Sequence, residues 1–264
     1  MSLKHEAKLD ARAHLAFVLM GEATAPEAED VVAALGEIAP GAEAPLVFST
    51  QETAVLQFTV GRGGSLTLGL MPGPVPGREA DDAFGFSLSA GLSETGVLAA
   101  HCAHLAVFFE DEPGRSRHEG LTRFSYLLAA TAKSSKAIAI YWGDAGATHE
   151  AGFFIDRARH QDPDLMLPLW TGIEVVRDGP DRASMLSLGM RQQLGILELR
   201  VTAPQEGLGE SMGTMYDILA YAARSGAAIA AGDTIGRSEN EQFDVRHEPS
   251  PIDPAQTVWR IDFP

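Results

Sequence analysis

Three apolar runs of strand length constrain this chain most. HLAFVLM, from His14 to Met20, ends at Gly21; HLAVFF starts at His104; AIAIYW, from Ala137, ends at Gly143. Runs this short, bounded by glycine or charge, suit buried strands better than helices. They also fall far short of the roughly 20 apolar residues that a membrane helix needs. Between them lie segments with helical periodicity. After Thr24, a plausible N-cap, Pro26 and the acids Glu27, Glu29 and Asp30 mark a helix start. Val31, Ala34, Leu35 and Ile38 then form one face. A second helix carries Leu121, Phe124, Leu127, Leu128 and Thr131 on one side. A third is expected over THEAGFFIDRARHQ, capped by Thr148. Alternating ETAVLQFTV and GSLTLGLMP flank Gly61–Gly64 and predict a hairpin.

The texture changes after the turn-like QDPD, Gln161 to Asp164. TGIEVVRDG, ASMLSLGM and ILELRVTAP read as strands, SMGTMYDILAYAARSG as a helix stopped by Gly226, and EQFDVRH and TVWRIDF as two more strands. The expected fold class is α+β, or mixed α/β, with two associated sheet-and-helix halves. The first half, 14–160, is βαββ-like; the second, 165–264, is mostly antiparallel strands with one long helix. Nothing in the sequence separates them by a flexible linker, so residues 1–264 are read as a single structural unit.

Charge narrows the partners. Lys plus Arg number 20 against 36 Asp plus Glu, a net charge of −16. That field repels nucleic-acid phosphates and anionic lipid heads, so neither nucleic acid nor membrane is an expected partner. It favours solubility and, in the sharper reading, a basic protein partner. The single cysteine, Cys102, rules out a disulfide within the chain, and MSLKHEAKLDAR lacks the apolar core of a signal peptide; a cytoplasmic location is expected.

The stretch from Ile196 to Gly226 looks at first like a phosphate loop: strand, glycines, helix. The spacing of Gly207, Gly209 and Gly213 is G-x-G-x-x-x-G, with Met212 where a dinucleotide fingerprint has its third glycine, and the loop carries Glu206 and Glu210 and no cation. It is read as a strand-to-helix turn whose acids favour the helix N-terminus. His101 and His104, in H-C-A-H, would share a face only on a helix; in an extended segment they diverge, and no third metal ligand is fixed by spacing. His149 and Glu150 carry no recognisable acid–base arrangement. GDTIGRS, from Gly232, reads as a structured turn before an edge strand. Trp142, Trp170 and Trp259 are read as core or interface aromatics, with ligand stacking by Trp170 as the alternative. No catalytic, cofactor-binding or metal residue is assigned, and no cofactor is expected.

Several pieces resemble the bacterial family known as domain of unknown function 4261: LMPGPVPG, HCAHLAVFF, LPLWTGIEV, SLGMRQQLGILELRV and, above all, DILAYAARSGAAIAAGDTIG. The matching residues are Pro72, Pro76, His101, His104, Trp170, Gly189, Met190, Gly195, Glu198, Tyr221 and the run Gly232, Asp233, Thr234, Ile235, Gly236. The resemblance runs from about His14 to Phe263. It departs at Arg191-Gln192-Gln193, where similar proteins have an aromatic–Gly step, which leaves Gly189 without an assigned role. The family has no established activity; its members occur near toxin–immunity and suppressor-of-fused-like domains.

The leading expectation is a non-enzymatic factor that binds another protein, immunity-like or regulatory. The alternative is an enzyme or small-ligand binder with a cleft near His101, His104, Trp170, Glu198 and Asp233. With Thr234 added, these residues form the candidate functional surface. The third reading is a homo-oligomeric structural subunit in which Trp259 and TVWRIDF pair across a free edge.

Overall fold

The three apolar runs become neighbouring strands at the centre of one sheet. In the computed structural model, which describes residues 13–41, 46–52, 54–91, 98, 101–226, 229–238 and 241–264, β1 (Ala13–Met20) is followed by α1 (Ala28–Ile38), β2 (Leu46–Glu52), β3 (Val55–Val60), β4 (Gly64–Met71), α2 (Glu79–Phe84), β5 (Ala103–Glu110), α3 (Arg117–Ser134), β6 (Ala139–Trp142), β7 (Ala147–Glu150) and α4 (Ala151–Arg159). The chain continues through α5 (Pro163–Trp170), β8 (Gly172–Arg177), β9 (Arg182–Leu188), α6 (Met190–Leu194), β10 (Leu199–Pro204), α7 (Leu208–Ser225), β11 (Thr234–Ser238), β12 (Glu241–Asp244), β13 (Arg246–Pro249) and β14 (Thr257–Asp262). The mixture of helices and sheets is the α+β class that the sequence predicts.

The first sheet has seven strands in the order β2-β3-β4-β5-β1-β6-β7, every neighbouring pair antiparallel. Period-2 alternation sends Ala16, Val18 and Met20 of β1 and Leu105, Val107 and Phe109 of β5 to one face. There they meet Val31, Leu35 and Ile38 of α1 and Leu121, Phe124 and Leu128 of α3. The opposite face is covered beside β6, where Val75, Ala80 and Leu98 close over Leu19 and Ala139. Farther along it, Leu15, Met71 and Phe108 remain exposed, and Leu15 stands opposite Phe108 in register.

The second sheet runs β13-β14-β10-β9-β8, with one parallel pair, β10 and β14. A separate ribbon pairs β11 with β12. Residues of α7, among them Met215 and Leu219, join the same apolar cluster as the first sheet's core.

Four local expectations are corrected. The first helix starts at Ala28 with Glu27 as N-cap, not at Thr24. Thr148 caps no helix: it pairs with Tyr141 in β7, its hydroxyl donates to the Ala80 carbonyl at 2.7 Å, and the helix begins after Glu150. QDPD does more than turn the chain: Asp162 accepts from the Asp164 amide at 3.0 Å and Pro163 occupies the first turn, so it starts a helix, α5, that ends at Trp170, two residues before β8. TVWRIDF is no edge: β14 lies between β13 and β10, its ladder positions taken on both sides, so pairing across it is closed.

Candidate functional site

Glu198 shows how the sequence-predicted residues are used. Gly189 takes φ +99°, and a Cβ there would stand 2.5 Å from the Asp144 carbonyl oxygen and 2.8 Å from Ala145 Cα. Only glycine lets the start of α6 press against that turn of the first half. The freed amide of Arg191 donates to Glu198 at 3.1 Å, and the Ser187 hydroxyl donates to the other carboxylate oxygen at 2.6 Å while accepting from the Leu199 amide at 2.8 Å. Burial raises the Glu198 pKa above the ordinary carboxylate value, against the lowering effect of these bonds. Glu198 therefore fastens the start of α6 to β9 and β10, and Gly189 gains a packing role against the Asp144–Ala145 turn that the sequence alone does not assign.

Trp170 is fully buried; its indole N–H donates to Ser125 Oγ at 2.8 Å, and its ring meets His118 edge-on at 5.1 Å. That geometry makes it a core aromatic. His101 and His104 each place Nδ1 on a backbone carbonyl, Leu98 at 2.8 Å and Gly73 at 2.7 Å, and His104 packs against Phe17. Asp233 folds its own turn, its carboxylate accepting from the Ala230 amide at 2.7 Å, and Thr234 opens β11. These residues occupy separate hydrogen-bond networks, so among the described residues His101, His104, Trp170, Glu198 and Asp233 are not brought together as the expected cleft requires. Among the described residues, no group of three or more His, Cys, Asp or Glu is placed to hold a metal ion.

The glycine loop has a different consequence. Gly207 takes φ +79° as N-cap of α7, the strand-to-helix turn that its spacing implies. The turn borders a groove of about 1180 Å³ between α7 and the C-terminal strands. Phe243 and Phe263, with ring centroids 4.6 Å apart, supply aromatic surface there. Glu206, Glu210 and Asp244 line it, and each is exposed. Among the described residues, none of these three carboxylates has an ion-pair partner, whereas Asp262 at the same groove is held by Arg246 and Arg260. The sequence displays the two glutamates and the lack of cations in their loop but not Asp244 and Phe243, which the β11–β12 ribbon brings from more than thirty positions away.

This groove is built from the part of the chain with a recognised relationship. Residues 186–262 match the family model described as Domain of unknown function (DUF4261). The family is the one the resemblance names, over a shorter span than His14–Phe263. No curated protein and no solved structure matches the chain.

Proposed function

We propose that this chain, with residues 186–262 in that family, is a non-enzymatic cytoplasmic factor, immunity-like or regulatory, that binds a basic protein partner in the groove at the start of α7. One observation carries the reading: three carboxylates with no ion-pair partner among the described residues, Glu206, Glu210 and Asp244, stand around the aromatic pair Phe243 and Phe263. A lysine or arginine side chain has an apolar stem and a charged head, so such a groove suits both ends of it. Unpaired exposed acids lose little solvation until a cation arrives, and the net charge of −16 adds long-range attraction. No helix among the described residues is long and apolar enough to cross a membrane.

The test is capture from native lysate of the source organism, at low and moderate salt, with the wild-type chain and with the triple variant Glu206→Gln, Glu210→Gln, Asp244→Asn. A stoichiometric basic protein held by the wild type and lost from the variant, with release by salt, supports the reading. Equal capture by both, or no stoichiometric partner, overturns it.

A second reading, a homo-oligomer, rests on the open face of the first sheet, where Leu15, Met71 and Phe108 are 44%, 48% and 40% exposed. Light scattering that returns the mass of one 28.1 kDa chain at high concentration removes it.

A further inference from the structure

A second groove, of about 1090 Å³, lies between α5, α7 and β11 and reaches Arg157 of α4. Leu165, Pro168 and Tyr221 give it apolar surface, and Arg157 and Tyr216 lie against it. Some arginines pair with carboxylates: Arg123 holds Asp111 and Glu112, Arg200 holds Glu248, and Arg224 at this groove holds Asp164. Arg157 differs. Its guanidinium lies over the Phe153 ring, 5.3 Å from the centroid, and among the described residues no carboxylate pairs with it. The Tyr216 hydroxyl is closed to solvent and has no hydrogen-bond partner among the described residues. Burial raises its pKa, and the charge of Arg157 pulls the other way, which places the two groups within electrostatic reach. A buried donor without an acceptor costs roughly 1–3 kcal/mol, so it marks a place where an acceptor belongs. The acids nearby are already engaged: Asp164 with Arg224, Asp233 with the Ala230 amide, and Asp217 likewise has a partner.

We propose that Arg157 and Tyr216 bind the oxyanion group, carboxylate or phosphate, of a small ligand whose apolar part rests against Leu165, Pro168 and Tyr221. A guanidinium offers two parallel N–H donors to two oxygens of such a group. The Tyr216 hydroxyl is closed to solvent in this structure, so binding includes a shift of the Tyr216 ring that lets a ligand oxygen beside Arg157 supply the acceptor it lacks. The small-ligand reading of the sequence thus moves away from the histidines and Trp170 to a place where Asp233 and Thr234 form part of the wall. Of its lining, the site shares Gln242 with the acidic groove, and Glu206, Glu210 and Asp244 are not among its residues.

The test is ligand-observed NMR titration of the full chain with benzoate, phenyl phosphate and benzyl alcohol at constant ionic strength. Each probe has the same ring; only the first two carry an oxyanion. Millimolar or tighter binding of at least one anion, with no matching affinity for benzyl alcohol, is expected. Arg157→Gln should weaken it at least tenfold, Tyr216→Phe severalfold, and Arg157→Lys by an intermediate amount, since charge remains and the fork is lost. Stronger binding of benzoate identifies a carboxylate ligand, and stronger binding of phenyl phosphate a phosphate ligand. Equal affinities of wild type, Arg157→Gln and Tyr216→Phe, all folded by circular dichroism, overturn the proposal, as does failure of both anions to bind.

Discussion

Lowering the pH from 7.5 to 5 should destabilise the protein through His149. The ring is fully buried in β7; Nδ1 lies 2.6 Å from Ser87 Oγ, which lies 2.7 Å from Ser89 Oγ, and Ser89 Oγ accepts from the Glu150 amide at 3.2 Å. Phe153 and Phe154 pack on the ring with centroids 5.9 and 6.0 Å away. Burial lowers its pKa from 6.5 to about 4, with the Leu169 carbonyl pulling weakly upward. The folded chain therefore keeps this ring neutral where the unfolded chain takes a proton. The stability tied to neutral His149 is whole above pH 6.5 and falls as pH drops toward 4, below which both states are protonated. The full span is worth about 3 kcal/mol, and about 2 kcal/mol is gone by pH 5. Urea unfolding at pH 7.5 and pH 5 should show the wild type losing about 2 kcal/mol more than His149→Gln, a midpoint difference near 0.7 M if the slope is about 3 kcal/mol/M. Carboxylates and the other histidines contribute to both proteins and cancel. Equal losses in the two proteins refute the reasoning.

Two further outcomes follow from the packing at Gly189 and from the core. Gly189→Ala must hold φ near +99° and set a Cβ against the Asp144 carbonyl, so it should cost about 2–4 kcal/mol in urea unfolding, while Gly209→Ala, where a Cβ meets nothing within 4 Å, should cost almost nothing. Asp111→Ala leaves Arg123, its side chain 12% exposed, without its closer carboxylate and should cost about 3–5 kcal/mol; Arg159→Ala, at an exposed pair, should change stability by less than about 1 kcal/mol.

Periodicity was enough to read the strands β1, β5 and β6 and the buried face of α3, because one local pattern sets each of them. The turn at Gly207 was also legible, from a glycine spacing that fits no phosphate fingerprint. Thr148 was misread because Thr-His-Glu suits a helix start, and only the presence of β6 beside it makes a strand the better use of its backbone. Helix α5 is not legible because it has eight residues and contains Pro168, too short and too irregular to show a helical period, although Trp170 at its end is the core aromatic that the sequence suggests. The histidines and Glu198 stand out by residue type, yet the histidines bond to backbone carbonyls and Glu198 to the Ser187 hydroxyl and the Arg191 amide, which no sequence pattern displays. Both grooves join distant segments: Glu206 with Asp244, and Arg157 with Tyr216. Absence of a nearby cation around Glu206 and Glu210 was the one readable hint.

Hydrogen exchange on the full chain, alone and with the captured partner, tests the central claim most directly. The account expects slowed exchange in the backbone of residues 205–211 and 242–246, weakened by salt and absent in the Glu206→Gln, Glu210→Gln, Asp244→Asn variant. Protection confined to the open face around Leu15 and Phe108, or unchanged by the triple substitution, would contradict it.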